Sequence, residues 1–411
     1  GLSPGSDVSL RPSQYQSDLS VLAGTSASRT RRSLASLSRG PLLPILMRTV
    51  RVVVLHRHGD RSPISTRVLN NVEAKEYVEF WPSRLPRAED AKAWQDMDPE
   101  HTKTGLAAVN VASSWPWGQL TIRGADEMRA VGALLRERYV NPGFMPEHLP
   151  QDAPRSIVQA RSTRYTRTIH SVQNLLRGLY PPEMRQPGPS GPPKIEIDSA
   201  DHAEEVMLLD DKRTPDLGEV FQAGDATAMI EMRKKVFAKL KGQGEAAGEP
   251  PMTWVRAMEI GICHRVHGLP PIGGLTLDEV AALTEYNGAA WGRIFSRPDV
   301  APIAMGPLAL FVLEKLSPPE QATDAPPLMS VLSGHDSTLL PFLCFLEAHD
   351  GRWPKYAAYM CLELLDDEQS SPEQFVRLLY ENQEVKMFGH SDVIMPLSVF
   401  KEHVLQKSIP P

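Results

Sequence analysis

The chain has 411 residues, with 44 Lys and Arg against 50 Asp and Glu and a formal net charge of −6; this excludes the strongly basic surface of a general nucleic-acid binder. Its hydrophobic fraction of 41% and charged fraction of 23% are near those of soluble globular proteins, and no apolar run reaches the roughly 18 residues that signal a membrane-spanning helix. The length allows a substantial core and two lobes.

Residues 1–45 differ from the rest. They are rich in Ser, Arg, Gly and Pro, and from Leu19 to Val50 there is no Asp or Glu while Arg29, Arg31, Arg32, Arg39 and Arg48 are present. That is the composition of an organellar transit peptide, or of an arm that orders only against a partner. Val50 to Leu55 then forms an apolar run rich in β-branched residues, which predicts a buried strand. The following residues to 117 read as an insert, with a helix from Asn71 to Phe80 ended by Trp81-Pro82. Thr121 is placed to cap a helix in which Met128, Val131, Leu134 and Leu135 recur at helical spacing, with Asn141-Pro142 as its stop. Ser156 to Ala160 predicts a second strand and Thr166 to Leu179 a helix, followed by a Pro/Gly loop and a short edge strand at Ile195–Ile197.

The stretch from Glu204 to about Pro319 reads as mainly helical, with helices at Met229–Lys241, Leu277–Tyr286 and Gly306–Leu316. Leu328 to Ser333 predicts a third buried strand. Ala357–Leu365 and Gln374–Glu381 predict two late strands in hairpin order that extend the sheet antiparallel at one edge. Three cysteines, Cys263, Cys344 and Cys361, are odd in number and form no C-x-x-C. They read as buried thiols in a chain built for a reducing compartment.

Each of the three buried strands ends in polar residues of catalytic type. The first is followed by Arg57-His58-Gly59-Asp60-Arg61-Ser62-Pro63, the second by Arg161-Ser162-Thr163, the third by Gly334-His335-Asp336-Ser337-Thr338. Ligands bind beyond the carboxyl ends of strands in open α/β sheets. Arginine's planar fork suits phosphate oxygens, and histidine is a competent nucleophile toward phosphorus.

Residues 57–63 resemble the R-H-G-x-R-x-P signature of the histidine acid phosphatases, the second branch of the histidine phosphatase superfamily. The resemblance covers most of the chain from about Val50 onward. It implies an α/β fold, a three-layer sandwich with a mixed, mostly parallel central sheet and an inserted helical cap domain. The domain would run over 46–411, with cap inserts at about 64–117 and 200–320. It further implies hydrolysis of phosphomonoesters with no cofactor and no metal. His58 would be the nucleophile. Arg57, Arg61 and Arg161 would bind the phosphoryl oxygens, with His335 as a second, cationic histidine at the phosphate. Asp336 would protonate the leaving group and then activate water. Asp60 is expected to orient neighbouring groups or cap a backbone amide, and Gly59 to allow close backbone approach or a positive φ. His264 and His267 form an H-x-x-H expected at a helix end or loop and not on a metal.

Asp350-Gly351-Arg352-Trp353-Pro354, Ala357-Ala358, Leu362-Glu363-Leu364 and Arg377-Leu378-Leu379-Tyr380 are similar to the mitochondrial lysophosphatidic acid phosphatase branch. That implies a lysophospholipid monoester as substrate and an intracellular, mitochondrial location. A different class of function is an accessory or scaffold subunit of an organellar assembly, with an inherited phosphatase fold and a protein partner bound through residues 1–45.

Overall fold

The computed structural model describes residues 47–64, 77, 79–87, 89–90, 116–185, 188, 193, 195–209, 254–271, 275–318, 326–367 and 373–409. The arm at 1–45, most of the insert at 64–117 and the helix expected at 229–241 lie outside the described residues.

The apolar run at Val50 belongs to a longer strand, β1 (Met47–Arg57). Val52 and Val54 enter one hydrophobic core, Val53 and Leu55 another on the opposite face. A strand buried on both faces has no polar side to show, so its sequence is continuous and not alternating. β4 (Met329–Gly334) is of the same kind, whereas β2 (Val158–Ser162) alternates buried Val158, Ala160 and Ser162 with half-buried Gln159 and Arg161. β4 pairs in parallel with both β1 and β2, and β2 pairs in parallel with the short β3 (Ile197–Asp198). On the other side of β1 the sheet is antiparallel, through β5 (Tyr359–Asp367), β6 (Gln374–Tyr380) and β7 (Gln383–Val385), with β8 (Ile394–Pro396) also on β6. Among the described residues the order is β3-β2-β4-β1-β5-β6-β7. Parallel pairing is thus confined to the half that carries the three polar strand ends. The late strands form the antiparallel extension that their sequence predicts.

Among the described residues two long helices cover one face. Thr121 caps α1 (Ile122–Leu135), its hydroxyl accepting from Gly124 N at 3.0 Å. α2 (Thr166–Leu179) packs beside it. Met128, Val131 and Leu135 from α1 and Leu175, Leu176 and Leu179 from α2 meet Val52, Val54, Met329 and Val331 of the sheet. The other face is covered by α3 (Trp254–Val266), α4 (Leu277–Phe295), α5 (Ala301–Leu316), α6 (Asp336–Phe345) and α7 (Leu397–Lys407). α4 starts with a complete capping box, Thr276 with Glu279. The described part of the helical insertion packs against α6 and the sheet through one shared core, so it forms the third layer of the sandwich. No helix among the described residues is long and apolar enough to cross a membrane. All three cysteines are buried free thiols.

The loop after β1 is pinned to the start of α1 through two glycines. A Cβ on Gly59 would run into the Gly124 carbonyl, and one on Gly124 into the Asp60 backbone. Close approach, not a positive φ, is what Gly59 supplies. Gly124→Ala is expected to lower stability by about 1–3 kcal/mol, because a backbone clash cannot be relieved by rotating a side chain. Its urea midpoint should fall together with turnover; an unchanged midpoint would remove the steric argument.

Candidate active site

Since β1, β2 and β4 run parallel, their carboxyl ends open on the same edge of the sheet. His58 N donates to Gly334 O at 3.1 Å and Thr163 N to Ser333 O at 3.2 Å, so the segments leaving the strands stay in register. This brings the His58 and His335 rings to 5.6 Å between centroids. His58 is buried, and its Nδ1 lies 2.8 Å from Gly59 O. A carbonyl only accepts, so Nδ1 carries the proton and the Nε2 lone pair is left for chemistry. Burial, then Arg167, Arg57, Arg61 and His335, hold the His58 pKa well below its ordinary value. The ring is therefore neutral, the state a nucleophile requires.

His335 packs its Nε2 at 2.9 Å from Thr163 Oγ1, and Arg167 reaches its Nδ1 at 3.4 Å. Burial, then Arg167, Arg61 and Arg57, push its pKa well down as well. The expected cationic histidine is thus held neutral, by burial first and then by the three guanidinium groups beside it. Asp336 Oδ2 accepts from Arg57 at 2.7 Å and from the Trp353 indole at 3.3 Å, and Ser337 N donates to Oδ1 at 2.8 Å. Burial alone would raise the Asp336 pKa, but Arg57, Arg61, the Ser337 amide and Arg167 outweigh it and leave it below the usual carboxylate value.

Arg57 and Arg61 are brought into the cleft as expected. Arg57 lies over the Tyr356 ring at 4.3 Å and donates to Pro354 O at 2.6 Å. Arg61 is paired with Glu259 of α3. Arg161 is not brought in. As the penultimate residue of β2 it points toward α5, over Phe311 at 5.1 Å, and pairs with buried Glu205 at 3.2 Å. Arg167, in the first turn of α2, stands in the cleft instead. Burial and then Arg61 lower its pKa to about 10, a direct sign of crowded positive charge. The Nε groups of Arg57, Arg61 and Arg167 are buried and make no hydrogen bond within the protein. Three buried donors with no protein acceptor are what an anion site needs.

Residues 50–239 match the sequence profile of the histidine phosphatase superfamily (branch 2). Over that stretch the chain resembles this family. It is 29% identical over 384 residues to lysophosphatidic acid phosphatase type 6 of Mus musculus, covering 88% of this chain and 85% of that one. It is 27% identical over 376 residues to counting factor 60 of Dictyostelium discoideum, covering 87% and 86%. The phytase of Citrobacter braakii has the same fold, with a TM-score of 0.60, 15% identity, and 88% and 98% of the two chains covered. This histidine acid phosphatase is a phosphomonoester hydrolase.

Beside the phosphatase cleft is a cavity of about 460 Å³. Ile64, Trp117, Tyr165 and Leu208 give it an apolar wall; Gln119, Arg164, Arg167, Asp201 and His202 give it a polar one. Sequence reasoning missed Arg167, Glu259, Tyr356 and His267. Arg167 alone had a local signal, as a basic residue in the first turn of a helix that follows a site strand. The others come from segments whose distance from the signature loop is set only by the fold.

The neutral histidines fix a sign for pH dependence. In the unfolded chain His58 and His335 titrate near 6.5, but in the fold they stay unprotonated well below it. The unfolded state therefore binds more protons under about pH 6.5, and stability present above that value is lost as pH falls. Asp336, with its depressed pKa, adds a loss in the same direction at lower pH. The urea midpoint should drop from pH 7.5 to pH 5.0, and drop less in His58→Gln. An equal drop in both proteins would contradict a neutral buried His58.

Proposed function

We propose that the phosphatase acts through a phosphohistidine at His58, and that its substrate is a phosphomonoester with an apolar leaving group, such as lysophosphatidate. The observation that carries the reading is the unprotonated Nε2 of His58 set among three buried guanidinium groups whose Nε donors have no protein acceptor.

The phosphoryl dianion accepts hydrogen bonds from Arg57, Arg61 and Arg167, which offset its charge through the transition state without a metal. Neutral His335 accepts from Arg167 at Nδ1 and so positions that guanidinium. His58 Nε2 forms a bond to phosphorus as the ester P–O bond breaks. The leaving oxygen takes a proton from Asp336. In the second half, Asp336 removes a proton from water, whose oxygen bonds to phosphorus as the P–N bond breaks and phosphate departs. Asp336 is held ionised by Arg57 in the structure. A bound dianion competes for that guanidinium and raises the proton affinity of the carboxyl, so substrate itself arms the acid.

The adjoining cavity supports the choice of leaving group. Its volume lies in the range of small-molecule sites. Its apolar wall suits the start of an acyl chain and its polar wall the glycerol hydroxyl. The relatives named lysophosphatidic acid phosphatase also support it. His58→Ala should abolish turnover of p-nitrophenyl phosphate and lysophosphatidate, with or without chelator. Arg167→Ala should lower kcat/KM by about 100-fold or more, Arg161→Ala by less than about fivefold. The reverse order would return Arg161 to the site. No turnover of either substrate by the folded parent chain would favour the accessory-subunit function instead.

The Arg- and Ser-rich, acid-poor composition of residues 1–45 supports a mitochondrial address for this activity. Fused to a fluorescent reporter, that segment should carry it to mitochondria; a diffuse signal would remove the reading.

A further inference from the structure

We infer that His267 is a positioning residue of the phosphatase: it holds the catalytic loop through Asp60, so that one helix end of the insertion sets where Arg61 meets phosphate. This rests on the proposed mechanism, and extends it to a residue that touches no reacting atom.

The loop from Gly59 to Ile64 is held on one side by the segment leading into α1, with Ser62 N donating to Gln119 O at 3.0 Å, Gly118 N to Pro63 O at 2.8 Å and Thr121 N to Asp60 O at 3.0 Å. On the other side it is held by α3 and the turn after it. Glu259 on α3 pairs with Arg61 and accepts from Ile64 N at 2.8 Å. Just past the end of α3, His267 Nε2 meets Asp60 Oδ2 at 2.6 Å. The insertion thus grips the loop at Asp60, Arg61 and Ile64. The Asp60–His267 contact spans 207 residues of sequence.

Asp60 is fully buried, and its Oδ1 has no hydrogen-bond partner. Its other oxygen is served by Thr121 Oγ1 at 2.5 Å and by His267. Close by, the Asp60 amide donates to Glu127 Oε2 at 2.9 Å, which places a second carboxylate against the same turn. Burial is the main cause that raises the Glu127 pKa, and Asp60 adds to it. Arg123 pairs with Glu127 and donates to Val266 O at 3.4 Å, so its charge is spent there. Among the groups facing Asp60, His267 is the ring donor that compensates its carboxylate. Its own position is fixed by Trp81 and Phe80, edge-on at 5.0 and 6.1 Å.

Without His267, Asp60 keeps a buried carboxylate short of a donor next to Arg61. The nearest relief is for Arg61 to turn toward Asp60 and away from phosphate. The consequence falls on phosphate affinity and KM more than on the nucleophile.

The test compares His267→Ala, His267→Gln, Asp60→Asn and the double variant Asp60→Asn/His267→Ala, by kcat, KM and inhibition by inorganic phosphate. His267→Ala should lose about tenfold or more in kcat/KM, mostly in KM, with phosphate inhibition weakened in parallel. His267→Gln, which keeps a donor at the same reach, should stay within about threefold of the parent. The double variant should be no worse than Asp60→Asn alone, because the charge that needed His267 is gone. A His267→Ala chain within twofold of the parent, or a double variant whose losses multiply, would overturn the inference. If His267→Ala does not fold, His267→Gln decides: a tenfold loss in that variant overturns it. The parent and His58→Ala run alongside; an inactive parent fails the mechanism, while an active parent with indifferent His267 variants fails only this inference.

Discussion

Like charge crowded into a buried cleft is the constraint on which this structure turns. Arg57, Arg61 and Arg167 converge where solvent is scarce and screening is weak. Each neighbour answers that field. Burial first and then this field keep His58 and His335 unprotonated, Asp336 is drawn onto Arg57, and Glu259 onto Arg61. Tyr356 offers its ring face to Arg57, and Tyr165 does the same for Arg167 at 4.5 Å. The carboxylates neutralise part of Arg57 and Arg61, and the Nε groups of all three arginines are left without a protein acceptor. A cleft built this way is destabilising by itself and becomes favourable when a dianion enters.

The sheet makes such crowding possible. Parallel pairing of β1, β4 and β2 places three loops side by side at one edge, and the two cores on either face hold the strands against the repulsion. The helical insertion closes the third layer and reaches back to the loop through Glu259 and His267. Core, sheet order and site are therefore one problem: moving the β1 loop away from Gly124 or from α3 would displace Arg61 before it disturbed any hydrophobic contact.

Much of this was legible in the sequence. An apolar run marked β1, short strand-like segments marked β2 and β4, Thr121 marked the start of α1, and the signature loop marked the anion site. Arg161 misled because it follows a strand just as His58 does. Strand side chains alternate, and the penultimate position of β2 points to α5 instead of over the strand end. Arg167 acts from the first turn of a helix, whose direction no strand pattern reveals. His335 was expected to be cationic because its neighbours were unknown: a histidine's charge is decided by what surrounds it in space. Glu259 and His267 lie 198 and 207 residues from their partners, and nothing local, the H-x-x-H included, ties either to the signature loop.

The Arg57–Asp336 ion pair has a consequence for selectivity. A phosphomonoester dianion brings two negative charges to the guanidinium that restrains the carboxyl; a phosphodiester brings one. On the acid role proposed for Asp336, the diester competes less well for Arg57, leaves that carboxyl closer to its ionised state, and finds no proton ready for its leaving oxygen. Discrimination between the two classes of ester is then a matter of protonation and not of shape: a linkage too weakly charged to unlock the acid is simply never activated, even when it fits.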